Sequence, residues 1–146
     1  MIFNQDFREF IELLNKHKVR YLVIGGYAVA FHGHPRYTKD LDVWIWMDKT
    51  NSENLIAALK EFGFGTLKLK AEDFLQKDII IQLGYPPNRI DLMTSPKGVE
   101  FENCYASRET IEIEGLKIDF IDIANLKKNK RATGRLQDLA DLENLT

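Results

Sequence analysis

Cys104 is the only cysteine in 146 residues. An internal disulfide is therefore excluded, and so is a zinc site built on several thiolates. Long apolar runs are missing too: Tyr21 to Phe31 is the longest, far short of the roughly 20 residues a membrane-spanning helix needs, and Gly25-Gly26 interrupts it. The opening Met1-Ile2-Phe3-Asn4-Gln5-Asp6 lacks the basic start and apolar stretch of a secretory leader. A cytoplasmic chain with no membrane partner is expected. Charge of one sign is scarce: the net charge is −2, so no global positive field draws in nucleic acid, and any such contact needs a local patch. Neither G-x-x-x-x-G-K-[ST] nor G-x-G-x-x-G occurs, which excludes the common nucleotide-binding loops. With 45% apolar and 29% charged residues, the composition fits one globular domain over residues 1–146.

What is present concentrates between Gly25 and Asp42. Tyr21-Leu22-Val23-Ile24 reads as a short buried strand, and Val43-Trp44-Ile45-Trp46-Met47 as a second. A glycine pair ends the first and Asp40-Leu41-Asp42 opens the second. Residues i and i+2 of a strand share a face, so Asp40 and Asp42 set two carboxylates on one side, with Leu41 and Val43 on the other. Carboxylates that close repel unless something positive lies between them, and magnesium, a hard cation usually shared with phosphates, suits the position. Gly25 and Gly26 admit two readings. One is a tight strand-to-helix turn; the other is a backbone cradle for a triphosphate at the start of the next helix. The Asp-x-Asp pair downstream favours the cradle. Trp44 and Trp46 follow on the Asp40/Asp42 face, where core packing outweighs a base-stacking role. His32 and His34 have a spacing that suits neither a helix face nor a closed zinc site.

The remaining chain supplies the frame. Phe7, Phe10, Ile11 and Leu14 predict an amphipathic helix over 4–17, capped by Asn4 or Asp6. Thr50-Asn51-Ser52-Glu53 reads as a capping box opening a helix that Gly63 closes. Ala71 to Gln76 suggests a short helical turn, residues 78–83 a strand, and Arg89-Ile90-Asp91-Leu92-Met93 its return after a Pro86-Pro87 turn. Asp91 sits between apolar neighbours on a strand; it is either a third carboxylate for a phosphoryl-transfer site or an edge residue paired with Arg89. Glu114-Gly115 predicts a hairpin pairing Ile113 with Leu116, Glu112 with Lys117 and Thr110 with Asp119, which leaves Asp119 structural. One helical turn is expected around Phe101 to Tyr105, with Cys104 in packing. Asp122 caps a helix reaching Arg131, and a last helix carries Leu136, Leu139, Leu142 and Leu145 on one stripe. Lys127 to Arg135 holds five basic residues and no acidic one, either a solvated helix face or a phosphate or RNA-backbone contact.

Gly25-Gly26, a helix-length spacer and Asp40-Leu41-Asp42 resemble the nucleotidyltransferase superfamily that includes DNA polymerase β and the minimal bacterial nucleotidyltransferases. The longer pattern Gly25-Gly26 … His32-Gly33 … Arg36-x-Thr38-x-Asp40-Leu41-Asp42, together with Pro86 to Thr94 and Asn129 to Glu143, is similar to the abortive-infection (type IV toxin–antitoxin) nucleotidyltransferase toxins. The resemblance implies an α/β (α+β) nucleotidyltransferase fold: a small mixed twisted sheet with helices mainly on one face. It implies Mg-dependent transfer of a nucleoside monophosphate from an NTP to an acceptor hydroxyl on RNA, protein or a small molecule, with pyrophosphate released. Asp40, Asp42 and Asp91 are then the catalytic and metal residues, holding two Mg²⁺ ions or Mn²⁺ in their place. Gly25, Gly26, the Tyr27 backbone, Arg36, Thr38 and Lys130 bind the nucleotide, with Lys127 the alternative to Lys130 and Asp138 an accessory residue. The other reading is a non-catalytic nucleotidyltransferase-like module that binds a nucleotide or a partner protein in a toxin–antitoxin pair.

Overall fold

The apolar spacing at the start of the chain becomes helix α1 (Gln5–Lys16), which buries Phe7, Phe10, Ile11 and Leu14 and is capped by the Asn4 side chain, an acceptor from the Phe7 N–H at 2.9 Å. The computed structural model describes residues 4–33, 40–64, 67–85 and 88–145. Strand β1 (Tyr21–Ile24) is buried throughout and passes directly into helix α2 (Gly25–Phe31). Strand β2 (Leu41–Ile45) and helix α3 (Lys49–Phe62) follow, then a 3₁₀ turn (Ala71–Phe74), strands β3 (Ile80–Leu83) and β4 (Ile90–Met93), and helix α4 (Phe101–Ala106). The chain ends with hairpin strands β5 (Glu109–Ile113) and β6 (Leu116–Phe120) and helices α5 (Ile123–Thr133) and α6 (Leu136–Asn144).

The six strands form one sheet in the order β3-β4-β2-β1-β6-β5. β2 runs parallel to β4 and β1 parallel to β6, while the β1–β2, β3–β4 and β5–β6 pairs are antiparallel. The mixed sheet is as expected. The β5–β6 register matches the predicted one at Ile113↔Leu116, Glu112↔Lys117 and Thr110↔Asp119. Its turn uses left-handed backbone at both Glu114 (φ 49°) and Gly115 (φ 82°), the twist-matched hairpin geometry. On the face that carries Leu41, Val43 and Ile45, α1 and α3 pack together, with Phe10 against Phe62 at 5.3 Å between ring centres. On the opposite face α4 sets Phe101 edge-on against Trp44.

Two expectations need correction. Helix α3 is capped by Asp48, which accepts from the Asn51 N–H at 3.0 Å, so Thr50 lies inside the helix and the box beginning there does not form. The physical reason is Asn51. Its buried side chain accepts from the Arg20 N–H at 2.7 Å and donates to the Arg20 and Trp46 carbonyls at 3.1 and 2.9 Å, which pulls the helix start toward the sheet. The second concerns α6. Its leucine stripe is only partly in the core: Leu136 is 86% exposed and Leu139 47%, Leu145 just past the helix is buried, and Asp138 and Asp141 are buried as well. The partner that turns these carboxylates inward is described below.

Candidate active site

Sheet order decides the site. Because β4 lies beside β2 in parallel, Asp42 and Asp91 are direct register partners, while Ile24, the residue before Gly25, pairs with Asp42 from the other side. Three separate stretches of sequence therefore meet at one point of the sheet. Gly25 adopts φ +69°, a conformation other residues rarely take, and a Cβ built on it would lie 2.1 Å from Asp42 Oδ2. No side chain fits between that backbone and the carboxylate. We expect Gly25→Ala to lose at least about 1–2 kcal/mol from the left-handed backbone alone and to push the Asp42 carboxylate out of place. Thermal unfolding and a transfer assay on the same variant check both effects. Unchanged Tm and activity would mean that the Gly25–Asp42 contact has no role.

Arg89, just before β4, is the positive group between the carboxylates. Its Nη2 lies 2.7 Å from Asp40 Oδ2 and 3.2 Å from Asp91 Oδ2, and its Nε lies 3.0 Å from Asp91 Oδ1. This pairing is the structural alternative for Asp91 that the sequence offers. Both features coexist: Asp91 is bridged to Arg89 and is also beside Asp42. Burial, followed by the charges of Asp91 and Asp40, pushes the Asp42 carboxyl up to about 7, against the opposing pull of Lys130 and Arg89. Asp91 is also raised, by burial foremost, with Arg89 opposing. Asp42 thus sits in a field of uncompensated negative charge.

The donor chemistry fits a hard divalent cation, with three carboxylates on neighbouring strands and Asp91 Oδ1 buried without a hydrogen bond. Even so, among the described residues no three His, Cys, Asp or Glu are gathered into a group that could already hold a metal ion. Arg89 bridges two of the three, Asp40 and Asp91.

The basic segment reaches the same neighbourhood in an unexpected form. Lys130 is buried, with Nζ 3.0 Å from both Asp138 Oδ1 and Asp141 Oδ2. Asp138 also accepts from Arg135 Nε at 2.8 Å and the Thr133 hydroxyl at 2.6 Å. Burial raises the Asp138 carboxyl, but these hydrogen bonds more than offset it and hold it below the usual carboxylate range. This cluster is what turns the polar face of α6 inward. Its ammonium also lowers Asp42, so it borders the carboxylate site, with its Nζ paired to the two acids.

Other candidates fall as follows. Gly26 and Tyr27 lie in the first turn of α2, whose N-cap Ile24 offers no side-chain hydrogen bond; the Tyr27 ring packs edge-on against Phe7. Trp44 is core, its Nε1 donating to the Thr94 carbonyl at 3.1 Å. His32 Nε2 pairs with the Ile121 carbonyl at 2.8 Å, a structural contact. Arg36, Thr38, His34 and Lys39 lie outside the described residues. Arg89 is the residue that sequence reasoning left out of the site; its position two residues before Asp91, on the same strand-like alternation, was the available signal.

A family model described as aminoglycoside-2''-adenylyltransferase matches residues 6–121, which includes Gly25, Asp40, Asp42 and Asp91. The chain belongs to that family. No curated protein matches it in sequence. The solved structures that share the fold are distant. TM1012 of Thermotoga maritima, assigned as a nucleotidyltransferase, is 16% identical with a TM-score of 0.63, over 94% of this chain and 88% of that one. An antigenic nucleotidyltransferase-like protein from Paracoccidioides brasiliensis is 18% identical with a TM-score of 0.60, over 94% and 71%. The lincosamide antibiotic adenylyltransferase LnuA, solved with lincomycin, is 16% identical with a TM-score of 0.57, over 99% and 96%. The fold is accordingly the nucleotidyltransferase fold, and this aminoglycoside-2''-adenylyltransferase family member carries Lys130 and Asp138 beyond the matched span. No helix among the described residues is long and apolar enough to cross a membrane.

Proposed function

We propose that the chain transfers a nucleoside monophosphate, AMP by analogy with its family, from an NTP to a hydroxyl of a small-molecule acceptor. The observation that carries this reading is the meeting of Gly25, Asp42 and Asp91 across three adjacent strands. The acceptor oxygen forms a bond to the α-phosphorus as the α–β phosphoanhydride bond breaks, and the electron pair leaves with pyrophosphate. Asp91, with its raised carboxyl, receives the acceptor's proton directly or through water. The amides of Gly26 and Tyr27, in the first turn of α2, orient the β- and γ-phosphates, and Gly25 lets the nucleotide approach Asp42 closely. Arg36 and Thr38 belong to the same proposed nucleotide site. Asp40, Asp42 and Asp91 would hold Mg²⁺, which when bound neutralises phosphate charge and lowers the pKa of the acceptor hydroxyl.

The family and the fold neighbour LnuA favour a small molecule over RNA or protein as acceptor. The RNA alternative rests on the Lys127–Arg135 segment, where Lys130 is buried but Lys128, Arg131 and Arg135 are exposed. The test incubates α-labelled NTPs, Mg²⁺ and a cell extract supplemented with aminoglycosides and lincosamides, with Asp42→Asn as control. Label entering the small-molecule fraction with the wild type alone is the expected result. Label in RNA or protein instead would replace the acceptor. No label in any fraction, with Mg-NTP still bound, would favour the non-catalytic binding module and the toxin–antitoxin setting that goes with it.

A further inference from the structure

Arg89 occupies the position at which positive charge is needed, and its surroundings say how firmly. Its main chain is fixed: the Arg89 carbonyl accepts from the Leu41 N–H at 3.1 Å, and β4 pairs in register with β2 immediately afterwards. Only the side chain is free to move. Its hold on the carboxylates is uneven. The Nη2 contact with Asp40 at 2.7 Å is a good charge-assisted hydrogen bond and Nη2 also donates to Asp91 Oδ2 at a longer 3.2 Å, whereas Nε and Asp91 Oδ1, 3.0 Å apart, are both buried without hydrogen-bond geometry. The guanidinium therefore neutralises the site without completing its hydrogen bonds. Charge points the same way. One guanidinium bridges Asp40 and Asp91 while Asp42 lies beside them in register, so acidic groups outnumber the cation that touches them.

We propose that Arg89 is a resident counter-cation that divalent metal must displace, so that metal enters readily only when a nucleotide gives the guanidinium another partner. A side chain anchored at the mouth of β4 can leave Asp40 and Asp91 and pair with a phosphate oxygen, for which its planar fork is suited. Metal and nucleotide then bind cooperatively, because each removes what opposes the other. Arg89 is a positioning residue in this scheme: it acts through the carboxylates and the phosphates rather than on the reacting atoms. It also keeps the metal-free site from flying apart by repulsion, which explains why a cation is built into a metal-binding position.

The inference rests on the reading of the site as metal-holding, and the experiment separates the two. Mn²⁺ binding is followed by the loss of the free-ion electron paramagnetic resonance signal, with and without a non-hydrolysable ATP analogue, for wild type and Arg89→Met, the signal lost to the analogue alone being measured without protein and subtracted. The wild type should bind Mn²⁺ weakly alone and at least about tenfold more tightly with the analogue. R89M should bind Mn²⁺ alone about tenfold more tightly than the wild type and lose most of the gain from the analogue. Should R89M fail to fold, R89K serves, because an ammonium reaches fewer carboxylate oxygens at once; a gain of about threefold is expected without nucleotide. Mn²⁺ affinity without nucleotide that is unchanged or reduced in the folded variant overturns the role of Arg89 and leaves the metal site standing. A wild type that binds no Mn²⁺ even with the analogue overturns both.

Discussion

Asp42→Asn should make the metal-free protein more stable at pH 8 while lowering transfer at least about 10³-fold. The two effects have one cause. Burial and the charges of Asp91 and Asp40 raise the Asp42 carboxyl from 3.8 to about 7 in the folded chain. A carboxyl whose folded pKa exceeds its unfolded one binds its proton more tightly when folded. Its contribution to stability is thus full below pH 4, declines as the pH rises toward 7, and is absent above that. At about 1.4 kcal/mol for each pH unit, the ceiling is near 4 kcal/mol. Asp42 retains some solvent contact, so about 2 kcal/mol is the reasonable expectation. Asparagine keeps the shape and removes the ionisation. Denaturant unfolding in a chelator should therefore show the wild type less stable at pH 8 than at pH 5, with the variant largely flat between them. Saturating Mg²⁺ and nucleotide should reverse the order at pH 8, since they stabilise only the ionised site. A wild type as stable at pH 8 as at pH 5 in chelator would show that Asp42 ionises without strain. The repulsion at the heart of the site would then be absent.

Much of this arrangement was legible in the sequence, for reasons that can be traced. The alternation around Asp40-Leu41-Asp42 fixes which side chains share a face, because a strand has only two. Glu114-Gly115 sets the β5–β6 register, because a two-residue turn permits few others. Asp91 stood out as a carboxylate flanked by Ile90 and Leu92. What could not be read was which strands distant in sequence become neighbours. β2 and β4 are separated in sequence by a helix, a 3₁₀ turn and β3, and only their parallel pairing brings Arg89 between Asp40 and Asp91. A local reading could pair Arg89 with Asp91 but had no means of adding Asp40. Helix α6 misleads for a related reason. Periodicity points its leucines inward, yet one buried ammonium from α5 attracts two carboxylates on the opposite stripe, and a buried ion cluster outweighs the leucine stripe. The start of α3 shifted because Asn51 has three backbone partners on other segments, which no capping motif encodes. The roles of Arg36 and Thr38 continue to rest on the resemblance alone.

That buried cluster leads to the largest stability effect we expect. Lys130→Met should destabilise the fold by about 3–5 kcal/mol, because it leaves Asp138 and Asp141 buried around a missing charge. Typical domains have only about 5–15 kcal/mol in hand, so the variant should unfold at much lower temperature. Asp138 keeps Arg135 and Thr133, and Asp141 keeps a hydrogen bond from Gln137 Nε2 at 2.9 Å, but neither acid keeps the ammonium they share. Adding Asp141→Asn to K130M should therefore recover a good part of the stability, since an amide tolerates the site without a counter-ion. The pair of variants also separates the two roles open to Lys130. If its ammonium serves the fold alone, the double variant regains activity in step with stability and keeps the wild-type KM for NTP. If it releases Asp141 and binds phosphate during turnover, stability returns while KM stays high. Asp42 provides an internal check, because Lys130 lowers it across the cluster. Removing that charge should move the midpoint of Asp42's ionisation to higher pH in K130M, and less in the double variant, where a neighbouring negative charge goes with it. An unmoved midpoint would place the cluster outside the electrostatic reach of the site and confine Lys130 to joining α5 and α6.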